Sequence, residues 1–377
     1  MKILAISHEF PPIGGGGANA AYYLTKGFVD KGHEVTLITS NYKNMKSYEK
    51  INGVSVIRVN SKRKYKEHCS FYEMLSFILK ACPIANKVER KEHYDICLIF
   101  FGIPSGPLGY MLKKRYRLPY VVRFGGGDIP GFQKRFTKVY KVIAPLVKII
   151  WKNADGLVAN SSGLRKFAYD FYNKKQVDII TNGIDCNIFI PKYRNNKKIQ
   201  ILFVSRLIER KGLQFILPQM KWIQERCNTE IELVIVGDGP YKSTLQGLVK
   251  KYRIEDIVVF EGQKDKKELV PYYQTADIFI FPSEREGMPN VVLEAMACGL
   301  PIIMTPCEGS EELIQKNGYI VSVEEFAEKI VTLCNDELLR VQLGRESRIN
   351  IEENFLWEKV VDKYIDLFKS VIKKVNI

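Results

Sequence analysis

The sequence predicts an α/β chain made of two doubly wound parallel-sheet domains, and three observations carry that prediction. Short runs of β-branched and aromatic residues alternate with helical patterns along the whole chain, the arrangement that βαβ units require. The alternation breaks at a polar, basic stretch over residues 192–198 and restarts with a fresh apolar run at residue 199. With 377 residues there is chain enough for two cores of ordinary size.

Residues 2–7 form the first predicted strand, and the loop HEFPPIGGGGANA then feeds a helix over 18–30. Further strands are expected at 34–38, 54–59, 96–101, 120–124, 156–160 and 177–180, with helices between them. Asn182 and Gly183 make a turn, and the basic stretch after them has the composition of a linker. The second half repeats the pattern, with strands at 199–205, 231–236, 257–260, 277–281 and 301–304. Trp357, Val360, Val361, Tyr364, Leu367, Phe368 and Val371 recur at intervals of three or four, so an amphipathic helix should close the chain over 355–374. The domains are therefore expected at 1–190 and 191–354, with the last helix at 355–377.

Hydrophobic residues at 46% and aromatics at 11% describe a globular chain. The eight cysteines are scattered without a C-x-x-C pair, which suggests neither zinc nor a disulfide framework and fits reduced packing residues. The N-terminal apolar run is too short for a signal segment, and no later run reaches membrane-spanning length, so a cytoplasmic protein is expected. Charge is unevenly shared. Residues 1–195 hold 32 Lys and Arg against 14 Asp and Glu, while the remainder holds 25 against 28. A polyanionic partner for the first half only is the reading this favours: anionic lipid, a pyrophosphate-linked acceptor or nucleic acid.

The most informative stretch is DIFIFPSEREGMPNVVLEAMACGLPIIMTPCEGSEEL, residues 277–313. It reads as a buried strand, a loop with Glu286 and Gly287, a helix over 290–298 and a second strand. Pro289 suits the first turn of that helix, whose free N–H groups point at the loop and would accept an anion. Glu286 and Glu294 have seven residues between them. Glu294 stands among Val291, Val292, Leu293, Ala295 and Met296, where a carboxylate must find donors, and sugar hydroxyls are such donors. Taken alone, Glu286 reads as a solvated loop carboxylate and Glu294 as a local cap.

The wording EG-x-P-N-x-x-LEAMA-x-G-x-P resembles the E-x7-E segment of retaining GT-B glycosyltransferases of family 4, the group 1 glycosyl transferases. The resemblance implies a GT-B fold of two Rossmann-like domains facing across a cleft, with the C-terminal helix crossing back to the first. It implies a hexosyltransferase-type enzyme acting without a metal, with same-face attack and retention of anomeric configuration. The nucleotide-sugar donor would be a substrate and no cofactor is needed. Neither D-x-D nor a His/Cys cluster with metal spacing occurs, so no metal ligands are assigned.

Residue by residue, Arg206 and Lys211 match the family's R-x4-K and would converge on the donor diphosphate, their repulsion relieved by the anion between them. Gly287, Met288, Pro289 and Asn290 would offer the helix tip, Glu286 the donor-sugar contacts and Glu294 the ribose contacts. Gly237, Gly239 and Gln263 would line the base pocket, with Glu312 near the ribose or a loop N–H. Gly15, Gly16 and Gly17 follow the first strand in a phosphate-cradle arrangement and face donor and acceptor in the family. The same loop loosely matches a dinucleotide fingerprint, but the acidic residue that motif needs after the second strand is missing. Asp128, in RFGGGDIPGF, is placed near the acceptor hydroxyl by the resemblance and in a loop-closing turn by the residues alone. His8 stands at the mouth of the first strand with both a ligand-facing and a structural role open, whereas His33 and Asp185 read as structural.

Residues 132–152 place Lys134, Lys138, Lys141, Lys148 and Lys152 near one helical face, opposite Phe136, Val139, Ile143, Val147, Ile150 and Trp151. Residues 62–91 likewise mix KRKYK with FYEMLSFILK. Packing on the sheet and contact with an anionic membrane both explain these patterns, and the charge split favours the membrane. The expected function is transfer of a sugar, UDP-linked by family habit, to a glycan or polyprenyl-pyrophosphate-linked acceptor in bacterial surface polysaccharide synthesis, at the inner face of the plasma membrane. Alternatives are a GT-B phosphorylase or epimerase and a basic nucleic-acid-binding protein. No RNA-binding or helix-turn-helix motif supports the last, so nucleic acid is not an expected partner.

Overall fold

The computed structural model describes residues 1–66, 69–132, 137–192 and 197–375. Two units share the chain: Met1–Asn182 with Trp357–Ile377, and Gly183–Leu356. The first change of unit thus falls between Asn182 and Gly183 and not at residue 190.

Among the described residues the first unit holds eight strands: β1 (Lys2–Ile6), β2 (Glu34–Ser40), β3 (Tyr48–Ile51), β4 (Val54–Val59), β5 (Ile96–Phe100), β6 (Tyr120–Arg123), β7 (Gly156–Ala159) and β8 (Asp178–Ile179). They lie in the order β3-β4-β2-β1-β5-β6-β7-β8. Every pairing is parallel except the antiparallel β3–β4. The order reverses between β1 and β5, which is the place where such sheets bind ligands, beyond the strand carboxyl ends. Ile3, Leu4, Ala5 and Ile6 are all fully buried, as strands covered by helices on both faces must be.

One face of this sheet is covered by the helix Gly16–Asp30 and the closing helix Trp357–Val375, through Leu24, Phe28, Val361, Tyr364 and Phe368. Gly27 lets those two helices approach, since a Cβ there would lie 2.4 Å from a Val361 methyl. Tyr23 stacks flat on Trp357 at 5.1 Å between ring centroids. The closing helix therefore packs within the first unit although it follows the second in sequence. The helices Phe71–Glu92, Gly106–Tyr116 and Thr137–Asn153 cover the opposite face. Lys134 and Phe136, assigned to the last of these from sequence, lie outside the described residues.

The second unit carries β9 (Ile199–Val204), β10 (Ile231–Val236), β11 (Val258–Gly262), β12 (Ile278–Phe281), β13 (Ile302–Met304) and β14 (Gly318–Ile320). Their order is β11-β10-β9-β12-β13-β14, with all pairings parallel. β3 and β14 were not expected from sequence. Each has three or four residues at an edge of its sheet, too short to show a period. Among the described residues no helix is long and apolar enough to cross a membrane.

Candidate active site

In the second unit the candidate side chains stand beyond the carboxyl ends of β9, β12 and β13. Arg206 follows β9, and the chain then makes a single turn, Glu209–Lys211, that ends on Gly212. Gly212 has φ +75, and a Cβ there would sit 1.8 Å from the Pro282 carbonyl oxygen. Only glycine allows this approach, which clamps the Lys211 turn against the loop after β12. Two further bonds hold the same join: Glu284 N–H donates to the Arg210 carbonyl at 3.0 Å, and the Ser283 hydroxyl donates to it at 3.3 Å.

The result is a tight ionic cluster. Lys211 Nζ donates to Glu286 Oε1 at 2.7 Å, and an Arg210 guanidinium N–H donates to the same oxygen at 2.8 Å. Arg210 also donates to the Arg285 carbonyl at 2.6 Å, and the Glu286 N–H donates to Glu308 at 3.0 Å. Burial alone would raise the Glu286 carboxyl, but Lys211 and Arg210 hold it below its usual value. Burial lowers the Lys211 ammonium despite Glu286, and the positive charges of Arg210 and Arg206 add to that fall. Arg206 and Lys211, expected to converge on the donor diphosphate, lie close enough for the Arg206 charge to lower the Lys211 ammonium. Arg206 is exposed and near enough to be felt by Lys211, while the direct partner of Lys211 is Glu286 and the second cation on that carboxylate is Arg210. Arg210 escaped the sequence reading because it falls outside the R-x4-K spacing, and Glu308 because nothing local ties it to Glu286.

The helix expected at 290–298 spans Asn290–Ala297, with Pro289 one residue ahead of it at the cap position and no side-chain cap on its N-terminus. Met288 and Pro289 are buried, and Gly287 and Asn290 partly so. Glu294 lies on the buried face and accepts a hydrogen bond from the Tyr273 hydroxyl at 2.8 Å. Burial raises its carboxyl to about 7, against the lowering influence of Tyr273. The donor that the sequence demanded for Glu294 thus comes in part from the protein itself. Gly237, with φ +141, and Gly239 bring the loop after β10 against the carbonyls of Ser205 and Leu207, where Cβ atoms would sit 1.9 and 2.2 Å away. These two glycines serve loop-to-loop approach, and Gln263 is exposed just past β11. Gly309 meets the Gly287 carbonyl in the same way.

In the first unit Gly15 caps the helix that opens with Gly16 and Gly17, and the space around a Cβ at Gly15 is empty. Gly17 instead lies against the Phe101 ring, 2.2 Å from a would-be Cβ. Asp128 is buried, and its oxygens accept the N–H groups of Gly102 at 2.6 Å and Gly125 at 2.8 Å. Burial raises its carboxyl above the usual range. Asp128 ties the loops after β5 and β6 together. It also lines a pocket of about 140 Å³ that includes His8, Phe101 and Tyr140. His8 is 4% exposed, packs edge-on against Phe101 at 4.8 Å, and is lowered by burial to about 4. His33 Nδ1 lies 3.2 Å from the chain's first nitrogen, and Asp185 accepts the Asn187 N–H at 3.0 Å.

Two helices of the first unit show apolar side chains to solvent. Thr137–Asn153 exposes Val142 at 80%, with Leu146 and Ile149 one and two turns on, beside exposed Lys138, Lys141, Lys148 and Lys152. Phe71–Glu92 exposes Phe71, Tyr72, Leu75 and Leu79. The sequence reading placed apolar residues only on the packed side, so the outward row Val142, Leu146 and Ile149 is a finding of the structure.

Solved structures share this architecture. Sucrose-phosphate synthase from Thermosynechococcus elongatus superposes with TM-score 0.85 at 21% identity, covering 99% of this chain and 100% of that one. Anabaena HepE in complex with UDP superposes with TM-score 0.75 at 16% identity, covering 98% and 100%. The fold is GT-B. Two family models match in succession, Glycosyltransferase Family 4 over residues 14–188 and Glycosyl transferases group 1 over residues 187–350. N-acetyl-alpha-D-glucosaminyl L-malate synthase of Bacillus anthracis is 26% identical over 97% of this chain and 96% of its own length. A protein of Methanocaldococcus jannaschii named as an uncharacterized glycosyltransferase is 28% identical over the whole of both chains. The chain belongs to the GT-B glycosyltransferases of family 4 and is a hexosyltransferase-type enzyme.

Proposed function

We propose that the chain moves a sugar, with retained anomeric configuration and without a metal, from a nucleoside diphosphate to a glycan or lipid-linked acceptor. The observation that carries this is the cluster of Lys211 and Arg210 on Glu286, with Arg206 close by, next to the uncapped helix Asn290–Ala297. A departing diphosphate gains negative charge as its bond to the sugar breaks. Fixed cations and the positive end of the helix dipole meet that charge without reorganising, which is the role a metal plays elsewhere. Glu286, held ionised, is an acceptor for donor-sugar hydroxyls, and Glu294 with Tyr273 for the ribose. Gly237, Gly239 and Gln263 frame the base, and Gly15, Gly16 and Gly17 give backbone N–H groups to donor and acceptor. Asp128 orders the acceptor loops.

UDP is the favoured nucleotide, in line with HepE crystallised with UDP-glucose. GDP is the competitor, since a relative in Mycobacterium tuberculosis is named as GDP-mannose-dependent. The acceptor belongs to surface polysaccharide or lipid-linked oligosaccharide synthesis on the cytoplasmic side. The exposed apolar rows and lysines of Thr137–Asn153 and Phe71–Glu92 support docking on an anionic membrane there. Calorimetric titration with UDP, GDP and ADP, followed by a donor panel with extracted lipid acceptors, tests the reading. Binding of UDP above the others and strict acceptor dependence are expected. Failure of every nucleotide to bind would refute it, and sugar release to phosphate without an acceptor would favour a phosphorylase.

A further inference from the structure

The pocket in the first unit lies at the carboxyl ends of β1, β5 and β6, where the strand order reverses. Its walls are Phe71, Met74, Phe101, Ile103, Val139 and Ile143. The polar groups that also line it are nearly all occupied within the protein. Asp128 accepts from two backbone N–H groups, Tyr140 donates its hydroxyl to the Gly127 carbonyl at 3.0 Å, and Glu9 pairs with Arg63 at 3.5 Å. His8 differs. Its Nε2 is 3.6 Å from Glu9, while its Nδ1 is buried and has no hydrogen-bond partner. With Nε2–H turned to the carboxylate, Nδ1 is a buried lone-pair acceptor on a residue that lines the pocket.

A cavity of this kind selects its occupant. About 140 Å³ is close to the roughly 150 Å³ apolar cavity that holds one benzene, so six or so carbons fill it. A free sugar would leave its hydroxyls unpaired against Phe71, Met74 and Ile143, at a cost in binding. Both helices that wall the pocket also carry the outward apolar rows, Phe71 and Leu75 on one and Val142 and Leu146 on the other. Apolar surface therefore continues from the pocket walls onto the outer faces of the same helices.

We propose that this pocket receives an aliphatic or prenyl-type segment of the acceptor, with His8 Nδ1 taking a hydrogen bond from a hydroxyl beside that segment. The acceptor is then an amphiphile, a sugar or alcohol borne on a lipid, and not a free sugar or a small polar acid. This rests on the glycosyltransferase reading above and narrows its acceptor class.

Alkyl β-D-glucosides with one, four, six and eight carbons, each below its micelle concentration, are titrated into the full chain by calorimetry. Each methylene should tighten binding about fourfold, the factor that about 0.8 kcal/mol per buried CH₂ gives, and the gain should level off near six carbons. Met74→Trp and Ile143→Trp fill the pocket from opposite walls, and either should flatten the series, with a cooperative unfolding transition showing that the variant is folded. His8→Phe should weaken every member about tenfold, leaving the slope per carbon unchanged. A flat series for the unmodified protein overturns the proposal. So does an equal slope in both Trp variants, which would assign the effect to the outer helix faces. UDP, GDP and ADP titrated into the same samples separate the two claims: if a nucleotide binds and the series is flat, only the acceptor class is wrong. If none binds, the proposed nucleotide-sugar transfer fails, and with it the word acceptor.

Discussion

Lys211→Ala probes the ionic cluster at its centre. The ammonium sits 2.7 Å from Glu286 Oε1 and 4.9 Å from the centroid of the Phe281 ring, on a side chain only 12% exposed. Its removal leaves Glu286 with Arg210, whose side chain is 40% exposed and correspondingly better screened. Deleting one member of a buried pair costs about 3–5 kcal/mol. Arg210 remains at 2.8 Å, so the loss of folding stability should sit below that range, at about 2 kcal/mol. The catalytic loss has a different origin. A preorganised group lost from the position of developing charge costs about 2.7–4 kcal/mol, or about 10²–10³ in kcat. The two are separated by a double-mutant cycle with Glu286→Gln. If Lys211 serves only to neutralise Glu286, its replacement costs nothing more in the Glu286→Gln background. If it meets the leaving diphosphate, most of the rate loss persists there. The assay is UDP release from a UDP-sugar panel at saturating donor, with UDP calorimetry and thermal unfolding on the same samples. Turnover of Lys211→Ala within about twofold of the parent, or a loss that disappears in the Glu286→Gln background, would refute the leaving-group role.

Glu294 sets a pH dependence. Its carboxyl is raised by burial from 4.5 to about 7, so its contribution to stability is full below pH 4.5 and is lost as pH rises through 7, by about 3 kcal/mol. Glu294→Gln keeps an acceptor for Tyr273 and removes the titration. Urea unfolding should show the variant gaining about 2–3 kcal/mol on the parent between pH 5 and pH 8, and an unchanged difference at both would rule this out. Gly212→Ala must place a Cβ 1.8 Å from the Pro282 oxygen at φ +75. A loss of about 2–5 kcal/mol in stability is expected, together with loss of UDP affinity as the Lys211 turn is displaced. A variant as stable as the parent would show that the turn is not clamped. For membrane docking, replacing Lys138, Lys141, Lys148 and Lys152 together by alanine should weaken cosedimentation with phosphatidylserine vesicles by about 4 kcal/mol, roughly 10³-fold. Equal binding to purely zwitterionic vesicles by the parent would contradict an electrostatic contribution.

Strand and helix periods carried most of the architecture in the sequence, because a strand buried on both faces must be apolar throughout. Ile3 to Ile6 and Ile278 to Phe281 could hardly be anything else. Tyr48–Ile51 and Gly318–Ile320 left no such mark, since three or four residues at a sheet edge contain one period or two. The loop bearing Glu286 and the helix after it were recognisable because their chemistry is consecutive in the chain. The partners of those residues were not. Tyr273 stands 21 residues from Glu294, and Arg210 is 76 residues from Glu286. Spacing singled out Arg206 and Lys211, while the contact of Arg210 with Glu286 is made only by the turn closed by Gly212.

What the amino-acid sequence determined by itself was local: two successive α/β units, the glycines at the strand ends, the basic first half and the carboxylates of one βαβ segment. Each of those depends on residues within a turn or a strand of one another. The tertiary structure decided what those residues do to each other. It turned Asp128 inward to tie two loops, set Arg210 beside Lys211 on Glu286, gave Glu294 a tyrosine hydroxyl and left Val142, Leu146 and Ile149 facing water. It also buried His8 Nδ1 without a hydrogen-bond partner, on a residue that lines the pocket of the first unit. The physical reason is that desolvation and hydrogen-bond satisfaction are properties of a place in space, filled by side chains from many strand ends at once, and no spacing along the chain records them.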